Sequence, residues 1–142
     1  MLSFTLSQGN HGDTVVGENM DGNPTIVLTN AFIKTHWENV INEEGEEIEL
    51  NLFEIVETES GDYLLLGSNT EKTLAACISL ILENGKYYEQ LFNNSANGLS
   101  VTCTGCMVGC NPSIVNGKGL CSPFCSGCNK SETLTSGGIF QN

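Results

Sequence analysis

The chain has 142 residues, with 17 Asp plus Glu against five Lys, no Arg, and a formal net charge of −12. That length is enough for one domain with a core of its own. The charge balance argues against binding to nucleic acid or an anionic membrane surface, because both are read by clustered Lys and Arg. The longest apolar stretch, Leu74–Leu82, is interrupted by Ser79, too short for a membrane-spanning helix.

In chain order, residues 1–24 are rich in Gly and carry a short alternating segment, Phe4–Ser7, that predicts a strand followed by loop. Thr25–Thr29 is β-branched and bounded by Pro24 and Asn30, a strand signature. Residues 31–42 fit a short helix or an irregular packed segment. An acidic stretch begins at Glu43 and runs to Glu59, and within it Ile48–Val56 alternates as a strand with a bulge near Phe53. Glu59–Asp62 is a turn, and Tyr63–Leu66 is the returning strand of a hairpin.

Two patterns compete over 68–92. Ser68–Glu71 would cap a helix near 70–84, whereas Asn84-Gly85 between two apolar runs is a hairpin signal. The hairpin is preferred, with Cys77–Leu82 and Lys86–Phe92 as its strands. The fold class is therefore mainly β, with α+β as the alternative if 70–84 is helical. Asn93–Gly98 is a polar linker, so the expected organisation is an acidic β-rich core over 1–92, a linker over 93–98 and a Cys-rich hairpin module over 99–142.

Six of the seven cysteines fall between residues 103 and 128. Their spacing is a mirror. Cys103 and Cys128, Cys106 and Cys125, and Cys110 and Cys121 are equidistant from one centre, with Ser113–Gly119 as the link. Such a pattern predicts two antiparallel segments with facing thiols, closed at the base by strands 99–102 and 131–135. Two chemistries fit. Cys103, Cys106, Cys125 and Cys128 form a C-x2-C…C-x2-C quartet, the pattern of a tetrahedral zinc site with two knuckles. Over 99–135 this spacing resembles a zinc ribbon, which implies a structural zinc ion held by those four thiolates. Cys110 and Cys121 depart from that pattern; they could pair as a disulfide, hold a second ion, or pack as small buried residues. The other chemistry is three nested disulfides, 103–128, 106–125 and 110–121, stapling a loop with little apolar material. A redox or iron–sulfur carrier is a weaker third reading, since the six-Cys spacing does not match ferredoxin runs.

Zinc implies a reducing compartment, and the N-terminus has no basic, apolar leader, so the expectation is cytoplasmic; disulfides imply a secreted protein whose leader has been removed. The remaining candidates carry less chemistry. His11-Gly-Asp13, His36 and Cys77 have no nucleophile–base spacing. Asp13, Glu18 and Asp21-Gly22 miss the ligand positions of a calcium loop. The Glu run at 43–49 suits a basic protein partner but equally a solvated edge, and Trp37, Tyr63, Tyr87 and Tyr88 suit either a binding face or core packing. The expected function is a non-enzymatic interaction or assembly module, with self-assembly or a basic protein as its partner. Zinc is the leading cofactor, and a secreted disulfide-stapled binding protein is the alternative.

Overall fold

The structure, a computed structural model, describes residues 11–71, 73–92, 97–105, 111–122 and 128–141. The described residues are mostly antiparallel β-sheet with one helix. The strands are β1 (His11–Met20), β2 (Asn23–Ile26), β3 (Leu52–Glu57), β4 (Tyr63–Ser68), β5 (Leu74–Glu83), β6 (Lys86–Phe92), β7 (Asn97–Thr104), β8 (Asn111–Val115), β9 (Lys118–Ser122) and β10 (Asn129–Ser136), and helix α1 is Asn30–Ile41. All but β8 and β9 form one eight-stranded sheet.

β5 organises the sheet. Its residues 75–80 pair with β4 along one edge; along the other, 74–78 pair with β7 and 80–83 with β6. β7 in turn carries β10 over eight consecutive pairs. Thus β7 and β10, on the Cys-rich side of the predicted linker, are hydrogen-bonded into the same sheet as β5 and β6; residues 93–96 lie outside the described set. The sheet is strongly curled. β1 and β3 are separated by four strands in the pairing order, yet a Cβ added at Gly17 of β1 would come within 2.7 Å of Ile55 Cδ1 on β3. Glycine is required there because a Cβ would also lie 2.6 Å from the Thr25 carbonyl oxygen on β2.

The helix closes the concave side. Thr29 caps it, its Oγ1 accepting from Phe32 N–H at 3.1 Å. Ile33, Trp37 and Ile41 recur every four residues and are buried against Val16, Leu65, Ile78, Leu80 and Tyr87. Trp37 Nε1–H donates to Ser100 Oγ at 2.8 Å, tying the helix to β7 through a buried hydrogen bond. Trp37→Phe removes that donor and part of the ring; a loss of about 2 kcal/mol is expected in denaturant titration.

Several expectations are met. Asn84 and Gly85 both have positive φ, 55° and 79°, as a type I′ turn between β5 and β6 requires. The β3–β4 hairpin is present, and β7 pairs with β10 as the flanking-strand reading requires. Others are corrected. The alternative helix near 70–84 is instead strand β5, because Ala76, Cys77, Ile78, Ser79 and Leu80 are buried in succession, on both faces of the sheet. The helix lies at Asn30–Ile41. β1 occupies residues read as loop, while Phe4–Ser7 lies outside the described residues. Regular pairing in the acidic region begins only at Leu52. Before it, Ile48 exchanges backbone hydrogen bonds with the Asn42 side chain, and Leu50 N–H donates to the Glu38 carboxylate. Helix side chains thus satisfy backbone groups that a neighbouring strand would otherwise bind.

Candidate functional site

The convex face of the sheet carries the cysteine chemistry. Strand parity directs Leu64 from β4, Cys77 from β5, and Leu99, Val101 and Cys103 from β7 to that side, where they form a second buried cluster. The two-stranded hairpin β8–β9 folds over it. Asn116 and Gly117, with φ of 53° and 76°, make the turn. Pro112, Ile114 and Gly119 are buried, while Val115 and Leu120 are exposed, so one face of the hairpin is committed to the sheet.

Cys103 on β7 is disulfide-bonded to Cys121 on β9, with Cα atoms 5.7 Å apart. This staple joins the hairpin to the sheet. It differs from the mirror pairing, and the register shows why. Cys103 faces Lys130 across β7–β10, and Cys121 faces Pro112 across β8–β9. The axis of both ladders lies at the Asn116-Gly117 turn, one residue beyond the centre of the cysteine mirror, so each thiol misses its mirror mate by two residues. The pairs 103–128 and 110–121 are therefore not the ones formed. Cys128 is partly buried against the same cluster and is itself disulfide-bonded. Cys106, Cys110 and Cys125 lie outside the described residues.

The zinc quartet needs Cys103 as a free thiolate, and here that sulfur is bonded to Cys121. Disulfide and quartet are thus mutually exclusive states of Cys103. Among the described residues, no group of three His, Cys, Asp or Glu converges as a metal would need.

Gly119 is the hairpin's second attachment. Its N–H donates to Glu132 Oε2 at 3.0 Å and its carbonyl accepts from Lys130 Nζ at 3.1 Å, so two β10 side chains hold both backbone polar groups of one residue. A Cβ there would lie 2.5 Å from Val101 Cγ2. Gly119→Ala is expected to cost about 1–3 kcal/mol and to accelerate proteolysis within 111–122, read by mass spectrometry of the cleavage products.

The other candidates are dispersed. Cys77 is fully buried, and burial pushes its thiol up to about 12, which makes it inert as a nucleophile. His11 pairs with Glu83 at 2.8 Å and stacks on Tyr88, and His36 stacks on Phe32. The two histidines belong to β1 and α1, and Cys77 to the convex cluster, so no nucleophile–base set is assembled from them. Glu46, Glu47 and Glu49 line an open concavity of about 700 Å³ with Glu38 and Glu71. At its edge Lys34 Nζ donates to Glu38, the Leu50 carbonyl and Asn51, which ties α1 to the acidic loop. Trp37, Tyr63 and Tyr87 belong to the concave core cluster or pack against it.

No protein family, curated relative or solved structure matches this chain. Function has to be argued from its own chemistry.

One group escaped the sequence reading. Glu89 of β6 is 3% exposed and accepts from Ile139 N–H at 2.7 and 2.9 Å through its two oxygens, and from Phe140 N–H at 3.2 Å. It fixes the segment after β10, where Gly137 and Gly138 turn with positive φ and send Ile139 and Phe140 into the core. Burial pushes its carboxyl above the ordinary range, against the opposing pull of the Ile139 and Phe140 N–H groups. Parity left it undecided in the sequence; in the structure Glu89 shares its side of β6 with Tyr87 and Leu91, both buried.

Proposed function

We propose that this chain is a non-catalytic binding module of an oxidising compartment, with the stapled hairpin and the sheet beneath it as its recognition element. The observation that carries this reading is the Cys103–Cys121 bond, which joins a separate two-stranded ribbon to a central strand of the main sheet. Cross-links of this kind persist where glutathione and thioredoxin do not reduce them. The dispersal of the titratable candidates supports binding over catalysis, since nucleophile, base and orienting group must lie within hydrogen-bond reach of one another.

Protein purified without reductant, denatured and alkylated, is the test. An alkylated Cys77, together with a non-reduced peptide linking Cys103 to Cys121, is the expected result. Seven alkylatable thiols and a chelator-releasable zinc ion in the native protein would instead establish the four-Cys zinc module of a reducing compartment.

A further inference from the structure

The hairpin covers the convex face incompletely. Beside its turn remains a cleft of about 330 Å³, walled on the sheet side by Asp62, Ser79, Gln90 and Phe92 and on the hairpin side by Ile114, Asn116 and Gly117. That volume is at the small end of the ~300–1,000 Å³ range of small-molecule sites. Strand parity makes the site: Ser79 and Gln90 occupy convex-side positions of β5 and β6, and Asp62 immediately precedes β4. Gly117 is set by its φ of 76° in the turn, which places its backbone beside the Phe92 ring. The cleft exists only while the hairpin is seated.

Its lining selects a chemical class. Gln90 and Asn116 each offer an amide donor and an amide acceptor, Ser79 a hydroxyl, and Asp62 a carboxylate. Phe92 and Ile114 supply an apolar wall. Among the described residues no lysine lines the cleft, so an anionic ligand would meet Asp62 uncompensated. A calcium ion would require six to eight oxygens, whereas the side chains of Asp62, Ser79, Gln90 and Asn116 carry fewer, with a single carboxylate among them; its Oδ2 already accepts from Ser60 Oγ at 3.1 Å. A pyranose fits both features. Its vicinal hydroxyls donate and accept at once, matching amides and carboxylate, while its C–H face lies against an aromatic ring whose face is negative. We propose that the cleft between the hairpin turn and strands β4–β6 is a neutral saccharide-binding site. The proposal rests on the binding-module reading, because the hairpin supplies one wall.

The test is a ¹H–¹⁵N titration of the whole, non-reduced chain with D-glucose, D-galactose, D-mannose and N-acetyl-D-glucosamine, each to tens of millimolar, and separately with calcium chloride. At least one sugar is expected to give saturable shifts, with a millimolar Kd, at residues 62, 79, 90, 92 and 114–117. Asp62→Asn, at an exposed site, and Asn116→Gly, which keeps the positive-φ turn, are each expected to weaken binding about tenfold with the remaining spectrum unchanged. The proposal is overturned if no sugar moves these resonances, if both variants bind as the parent does, or if calcium moves them and no sugar does. A non-reducing peptide map of the same sample separates the two levels. No binding with the Cys103–Cys121 peptide present sinks the saccharide site alone; absence of that peptide sinks the module reading beneath it.

Discussion

Replacing Cys103 and Cys121 together by alanine is expected to lower the unfolding free energy by about 3 kcal/mol, the loop-closure entropy that a cross-link over this span removes from the unfolded chain. The two residues are 18 apart in sequence. The double variant is the informative one, since either single variant leaves a thiol free to exchange with the remaining cysteines. Loss of the staple should also act unevenly. Val101 and Leu99 lie beneath the hairpin, whereas Trp37 and the helix lie on the opposite face of the sheet. Limited proteolysis should therefore cut within 111–122 well before global unfolding, while emission from Trp37, the single tryptophan, reports a core that unfolds later. A variant with an unchanged denaturation midpoint and an uncut hairpin would show that Gly119, Lys130 and Glu132 suffice to seat it.

What the sequence disclosed follows from how local each signal is. Asn84-Gly85 demands positive φ at two successive residues, which those two residues tolerate, so the β5–β6 hairpin was legible from a dipeptide. The β7–β10 pairing was legible from symmetry. Its register was not, because a mirror of cysteines locates an axis only if the thiols face one another, and the turn-forming Asn116-Gly117 fixes a different axis by backbone conformation. Helix α1 was ambiguous because Trp37, Val40 and Ile41 suit strands equally well; the Thr29 cap and the stripe of Ile33, Trp37 and Ile41 settle it only together. The inward side of β6 could not be chosen from sequence, since Tyr87 and Leu91 compete with Tyr88 and Phe92 on alternate positions. Glu89 went unnoticed for that reason. The saccharide cleft is likewise a product of packing, its walls coming from segments up to 55 residues apart.

Glu89 gives the other large effect. Glu89→Ala should cost about 3 kcal/mol, because it leaves the buried Ile139 and Phe140 N–H groups without an acceptor and opens a void beside Gly98 and Gly138. The pH dependence has the opposite sign to that of an ion-paired carboxylate. A carboxyl whose folded pKa is raised binds its proton more tightly in the native state than in the unfolded chain, so the native state is penalised at neutral pH and relieved as pH falls. The gain should accrue between the raised folded value and the unfolded value of about 4.3, and it is complete below both. Relief of the net charge of −12 also favours the folded state on acidification. Glu89→Gln separates the two contributions. Its single amide oxygen can accept from both N–H groups as Oε1 does, and it retains every other carboxylate, so its stability should still rise on acidification, but with a shallower slope. Parallel denaturant titrations of parent and variant across mildly acidic pH read that difference directly. Equal slopes would mean that the Glu89 carboxyl is not raised on folding, the Ile139 and Phe140 N–H groups offsetting its desolvation in full.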